Sequence, residues 1–283
     1  MSDQVLHCQL AEVEATINAL CSDDAISLSN IVRDHFGSGG SRVRARLALQ
    51  SGQSLNLPQD VCISLAAGCE LLHNASLIHD DLQDRDMVRR DAPTVWAAHG
   101  ENTAICAGDL MLSAAYAAFA QTGTKASDVI MHAHHRVAQV ICGQCDDLRL
   151  GGSCADPETY EQIAAAKSGP LLALPLELAL IVAGRKDLVN AAKRAATMFA
   201  IAYQILDDLT DVTRDSEKGS MNAVNVYALS GSKNPRESAC KLAIDRLDLF
   251  EQFVSELPAG MIQALVQRAE PIRSALTRQL EAA

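Results

Sequence analysis

Aromatic side chains are scarce in this chain: one Trp, four Tyr and five Phe make up 4% of 283 residues. Aliphatic side chains and alanine must fill the core, and an alanine-rich composition poor in β-branched residues favours helices. Positive charge is also in deficit. Lys and Arg number 24 against 35 Asp and Glu, a net charge of −11. That excludes a general nucleic-acid binder, which needs a basic face. An anionic substrate stays compatible with such a chain where metal ions invert the local charge. Sustained alternation of polar and apolar residues is missing, so strands are expected to be absent or trivial. No Pro- or Ser-rich stretch is long enough to divide domains, and no apolar run reaches eighteen residues without a charge, so no membrane span is expected. Residues Met1 to Leu10 show no basic-then-apolar leader pattern. The nine cysteines, at 8, 21, 62, 69, 106, 142, 145, 154 and 240, are odd in number and scattered. They are expected to be mostly buried thiols of a cytoplasmic protein, with Cys142 and Cys145 packed on a helix.

What is present is acid, concentrated twice. Asp80, Asp81 and Asp84 follow an apolar run, and Asp207, Asp208 and Asp211 follow another. Both clusters read Asp-Asp-Leu-x-Asp. On a helix the first and third acids share a face one turn apart, with the second about 100° round. Such acids repel one another by a few tenths of a kcal/mol per pair, so a positive partner is expected. A single cluster is compatible with a solvated helix end. Two clusters at the ends of two apolar helices suit a different task. Mg²⁺ keeps several waters and takes one or two carboxylates plus substrate phosphates, so facing clusters would grip a diphosphate through metal ions.

Along the chain, helices are expected over 5–21, 25–36, 59–85, 101–120, 124–149, from 157 to a break at Lys167-Ser-Gly-Pro170, 171–183, 186–211, 222–229, 234–255 and 259–281. The loop Phe36 to Ser41 feeds Arg42-Val-Arg-Ala-Arg46, a glycine loop before a helix N-terminus with arginines, which can bind phosphate. His73 lies two turns before Asp80 and reads either as a satisfied core histidine or as a cationic or donor contact to a second phosphate. Adjacent Arg89 and Arg90 can face two anions at once. His132, His134 and His135 lack acidic neighbours at ligand spacing and read as solvated or interfacial. The pattern as a whole predicts an all-α fold: a single-domain bundle of antiparallel helices spanning residues 1–283.

With both clusters placed, the chain resembles the trans-isoprenyl diphosphate synthases of the polyprenyl synthetase family. Ser76-Leu-Ile-His-Asp-Asp-Leu-Gln-Asp with Arg89-Arg90 and Pro93-Thr94 resembles the family's first aspartate-rich motif and its arginine tail. Gly143-Gln144 with Asp147-Leu148, Tyr160…Ile163…Lys167-Ser168, and Gln204-Ile205…Asp207-Asp208…Asp211-Val212-Thr213 are similar to three further family stretches, in order and at family spacing. The resemblance implies helices around a deep central cavity, usually a homodimer, and Mg²⁺ at roughly three ions per site. It implies Asp80, Asp81, Asp84, Asp207, Asp208 and Asp211 as metal ligands. Arg89, Lys167 and Lys218 would bind the allylic diphosphate; Arg42, Arg44, His73 and Arg90 would bind isopentenyl diphosphate; Gln204 is implied as a further substrate-binding residue. The implied reaction is Mg²⁺-dependent condensation of isopentenyl diphosphate with an allylic diphosphate.

Three departures from the family pattern stand out. Ser41 replaces an expected lysine, Asp91 follows Arg90 where the family has glycine, and the loop around Lys218 is short. They allow an alternative, a terpene synthase-like enzyme that ionises an allylic diphosphate without condensation. A regulatory subunit is a third reading, disfavoured because all six aspartates are present. Product length is read from bulk before the first cluster. Ala75 and Ser76 are small, Leu72 lies a turn deeper, and Tyr116 or Phe119 would form the floor, which points to a product near twenty carbons, with fifteen and twenty-five as the alternatives.

Overall fold

The computed structural model describes residues 3–22, 27–150, 156–218 and 222–281, and they are nearly all helical. Twelve helices are described: α1 (Asp3–Leu20), α2 (Ser27–Gly37), α3 (Val43–Ser54), α4 (Gln59–Gln83), α5 (Val95–His99), α6 (Glu101–Ala120), α7 (Ala126–Leu150), α8 (Pro157–Val182), α9 (Val189–Lys218), α10 (Ala223–Leu229), α11 (Pro235–Val254) and α12 (Ala259–Glu281). A two-residue-per-strand hairpin, β1 (Val88–Arg89) with β2 (Ala92–Pro93), separates α4 from α5. The expectation of trivial strands matches this hairpin.

The chain divides into two compact units. One comprises Met1–His132 with Leu178–Gly184, the other Ala133–Glu177 with Arg185–Ala283. In the first, α4 is the central element and packs against α1, α3 and α6. Leu65, Leu71 and Ile78 of α4 are fully buried with Ile17, Leu47, Leu49, Met111 and Phe119. Small residues permit the close approach. A side chain at Gly68 would overlap Phe119, and one at Gly108 would overlap His79. In the second unit α9 packs on α11, and alanine does much of the filling: Ala191, Ala192, Ala195, Ala196, Ala200 and Ala202 of α9 and Ala239 and Ala243 of α11 are all buried. A bidentate Arg136–Glu177 pair is buried there, at 2.5 and 2.7 Å. The scarcity of aromatics thus shows directly as close-packed, small-residue helix contacts.

Two expectations need correction. No break occurs at Gly169-Pro170: α8 runs through both Pro170 and Pro175. Each proline forfeits one helical hydrogen bond, but residues 171–181 are buried almost without interruption, and that packing holds the helix together. The cysteines are also less buried than expected. Cys21, Cys62, Cys69 and Cys240 are buried, whereas Cys8, Cys106, Cys142 and Cys145 are exposed. Cys142 and Cys145 lie on the outward side of α7 and do not pack there. Cys154 lies outside the described residues. By length and composition α4, α6 and α8 could each cross a membrane, but the apolar windows of α4 and α8 are 72% and 67% buried within the protein, which accounts for their hydropathy.

Candidate active site

The first unit carries a basic pocket around the loop before α3. Arg42 stands at the N-cap of α3 with φ +51. Its Nη1 and Nη2 donate to the carbonyls of Gly39 (2.8 Å) and Phe36 (2.6 Å), and its Nε donates to Glu14 (3.1 Å). Arg90 Nη1 donates to the same Gly39 carbonyl at 2.6 Å. Two guanidinium groups sharing one acceptor is a costly arrangement unless an anion joins them. Burial, Arg42 and Arg89 all push the Arg90 pKa down. Gly40, with φ +122, is needed here, because a Cβ would meet Arg90 Nη1 at 2.6 Å.

Arg44 Nη1 lies 3.0 Å from His73 Nε2. Arginine only donates, so His73 Nε2 accepts and its proton sits on Nδ1. Burial first, then the Arg44 charge, holds the His73 pKa well below the usual histidine value. His73 is therefore a neutral acceptor that orients Arg44. This favours the neutral reading of His73 over the cationic one: desolvation and the charge of Arg44 both disfavour a protonated imidazole here.

The first acid cluster ends α4. Asp80 is partly exposed, Asp81 is only 2% exposed, and Asp84 is exposed at the C-cap, one residue beyond the helix. Arg89 supplies the positive partner: its Nε and Nη2 both reach Asp81 Oδ1 at 2.6 Å, and Nη2 lies 3.9 Å from Asp80. Burial raises the Asp81 pKa and Arg89 opposes the rise. The chain leaves the cluster through a fixed loop. Asp81 O accepts the Asp86 N–H, and Asp86 O accepts from Thr94 and Trp96.

The second cluster lies on α9. Asp207 is exposed and Asp208 is buried. Asp208 Oδ2 accepts from Tyr160 Oη (2.7 Å) and the Ala223 N–H (2.8 Å), and Oδ1 accepts from Gln204 Nε2 (3.0 Å). Its carbonyl accepts from Asn222 Nδ2. Asp211 is half-buried at a break in helical geometry, with φ −104 and ψ 16. Gln204, expected against substrate, thus supports Asp208. Lys167 Nζ donates to Asp147 at 2.9 Å. The Lys218 side chain lies outside the described residues.

A family model described as Polyprenyl synthetase matches residues 26–224. A geranylgeranyl diphosphate synthase of Cyanophora paradoxa is 33% identical over 218 residues, covering 73% of each chain. The chain belongs to the polyprenyl synthetase family. That makes it a trans-prenyltransferase. Its fold is shared with a decaprenyl diphosphate synthase from Rhodobacter capsulatus (TM-score 0.88, 21% identity, 96% of this chain and 98% of that one). It is shared too with a Caulobacter crescentus CB15 polyprenyl synthase complexed with calcium and isoprenyl diphosphate (TM-score 0.82, 19% identity, 98% and 96%).

Within this polyprenyl synthetase the departures take on a physical meaning. Arg90 and Asp91 form the two-residue turn of the hairpin with φ +53 and +60, and a type I′ turn needs positive φ at both positions. Asp is among the few non-glycine residues that enter this region readily. Asp91 is exposed, so it serves the backbone where glycine would. Ser41 contributes its carbonyl to Arg46. Of the residues expected to limit product length, Leu72, Ala75 and Phe119 are buried, while Ser76 and Tyr116 keep part of their surface. Phe119 lies against Gly68, twelve residues before Asp80 or about 18 Å along the helix. Tyr116 meets Phe119 edge-on. Among the roles that sequence reasoning missed are those of Tyr160 and Asp147, which it quoted only as motif letters. A signal was available for Tyr160: it precedes Lys167 by two turns on one face of α8.

Proposed function

We propose that this polyprenyl synthetase condenses isopentenyl diphosphate with an allylic diphosphate to an all-trans product near twenty carbons. The observation that carries this reading is the basic pocket of the first unit. Arg42 and Arg90 converge on Gly39, with Arg44 oriented by His73, two helical turns before Asp80 on the same helix. A condensing enzyme needs that second diphosphate grip, and an enzyme that only ionises an allylic diphosphate does not. The pocket survives the loss of a lysine at Ser41, so the condensing reading is preferred.

The acid clusters are proposed as Mg²⁺ ligands. Their donors are all hard carboxylate oxygens, and among the described residues no three His, Cys, Asp or Glu side chains form a ready-made cage. That donor set suits an ion that completes its shell with water and substrate oxygens. Asp80, Asp84, Asp207 and Asp211 are the ligands we favour; Asp81 and Asp208 hold the clusters in shape. When bound, Mg²⁺ supplies Lewis-acid charge at the departing diphosphate. Arg89 would exchange Asp81 for an allylic diphosphate oxygen, and in the second unit Lys167, paired with Asp147, is a proposed diphosphate contact. Arg90 and Arg44 would hold isopentenyl diphosphate still for attack, a contribution of orientation. Incubation with labelled isopentenyl diphosphate, Mg²⁺ and each allylic primer tests the reading. Elongated prenyl diphosphates are expected; turnover of the primer alone to a hydrocarbon or alcohol would overturn it.

A homodimer is part of the proposal. Met131, His134, Ala138, Ile141, Cys145 and Leu148 of α7 recur at alternating steps of three and four, the spacing of a coiled-coil seam. Met131, Ile141 and Leu148 are 52%, 60% and 47% exposed. A second copy would cover this face. Ile141→Lys is expected to shift the protein toward monomer in sedimentation analysis, and an unchanged mass would count against this face.

A further inference from the structure

Glu70 is a buried carboxylate, 3% exposed, in the middle of an otherwise apolar stretch of α4. Nothing in the proposed chemistry uses it. Its Oε2 accepts the N–H of Ala45 at 3.1 Å, and its Oε1 accepts from Asn74 Nδ2 at 3.3 Å. Ala45 is the third residue of α3, whose N-cap, Arg42, makes no side-chain cap. The first N–H groups of a helix have no partner within the helix. Glu70 therefore performs from α4 the capping that Arg42 cannot, at the positive end of the α3 dipole.

The contact reaches further on both sides. Asn74 also donates to the Glu70 carbonyl, which leaves its Oδ1 to accept from His35 Nε2 at 3.1 Å. Burial pushes the His35 pKa down to about 4, so that imidazole is neutral and donates. His73, one turn from Glu70, receives Arg44. The first turn of α3, which carries Arg42 and Arg44, is thus pinned to the α4 face that carries His73 and Asn74. The Glu70 charge also acts on Arg90, favouring its charged form against burial, Arg42 and Arg89.

We propose that Glu70 is the positioning residue of the basic pocket: it anchors the first turn of α3 and offsets the mutual repulsion of Arg42, Arg44 and Arg90, so the pocket is assembled before its anion arrives. The proposal rests on the reading of that pocket as the isopentenyl diphosphate site. Glu70→Gln cannot satisfy the network. Its amide nitrogen would face either the Ala45 N–H or the Asn74 amide, donor against donor. Without the buried negative charge the arginines splay toward solvent.

The test is steady-state kinetics of Glu70→Gln with each substrate varied separately, beside Arg90→Ala. Expected is a rise of roughly tenfold in KM for isopentenyl diphosphate, with kcat and the allylic KM within about twofold. A general loss of stability would lower kcat by reducing the active fraction and leave KM alone. An unchanged or lowered isopentenyl KM in Glu70→Gln, with Arg90→Ala still raising it, would overturn the role of Glu70 alone. An unchanged KM in Arg90→Ala would instead overturn the reading of the pocket. Should Glu70→Gln not fold, Glu70→Asp keeps the charge but withdraws it from Ala45. A KM rise of about threefold is expected there, and no rise would overturn the proposal.

Discussion

The two acid clusters share a motif and a geometry yet are held by different chemistry. In each, the second aspartate is buried and its carbonyl anchors the segment that follows. Asp81 is held by a charge, the Arg89 guanidinium. Asp208 is held by neutral donors: a tyrosine hydroxyl, an amide side chain and a backbone N–H. A guanidinium can leave one carboxylate for another anion, whereas a set of neutral donors fixed by three elements cannot follow it. On the proposed function, the first cluster would therefore rearrange around an incoming diphosphate and the second would stay as it is.

The sharpest way to break this comparison is at the outer acids. Asp80→Ala and Asp207→Ala are each expected to lower turnover by at least about a hundredfold, and either variant turning over normally would remove that cluster from metal binding. The buried acids should then separate. Asp208→Asn places an amide group among three donors and should cost about 1–3 kcal/mol, read as a lowered Tm. Tyr160→Phe should cost part of that, and the double variant less than the sum, because one network is lost once. Equal Tm losses in Asp81→Asn and Asp208→Asn would erase the distinction.

Acid should touch the first unit selectively. His35 titrates at about 4 folded, against 6.5 ordinarily, because of its burial. Below its ordinary pKa the unfolded chain binds the proton and the folded one does not. Stability is therefore complete above about pH 6.5 and is lost as pH falls toward 4. Thermal melts at pH 7 and pH 5 should show a smaller acid loss for His35→Asn than for the parent. Smallest of all, Tyr116→Ala should leave the rate nearly intact and lengthen the product by one isoprene unit, resolved by chromatography; an unchanged product would take Tyr116 out of the floor.

Much of this was legible in the sequence, for identifiable reasons. Helices and clusters were readable because apolar periodicity and the repeated Asp-Asp-Leu-x-Asp are local signals. The assignments of Arg42, Arg44 and Arg90 to one pocket rested on resemblance; in the structure Arg42 and Arg90 share the Gly39 carbonyl and Arg44 meets His73. The continuity of α8 through Pro170 and Pro175 was not readable, because local propensity points to a break and only the packing reverses it. That any strand would be trivial was readable, but the place of the hairpin was not, because Arg90-Asp91 lacks the glycine or asparagine that announces such a turn. The neutrality of His73 was likewise hidden, since it depends on a burial and an arginine partner contributed by another helix.

The fit of Phe119 against Gly68 has a consequence for how product length can change in this lineage. On the proposed reading a larger residue at 68 would shorten the product, but its first carbon would overlap the Phe119 ring at 2.3 Å. Such a change would first disturb the contact between two helices that builds the first unit. If Tyr116 and Phe119 form the proposed floor, product length can change step by step from the α6 side, at Tyr116, and is barred from the α4 side at Gly68. Variants selected for shorter or longer products should accumulate at 116 and leave 68 untouched.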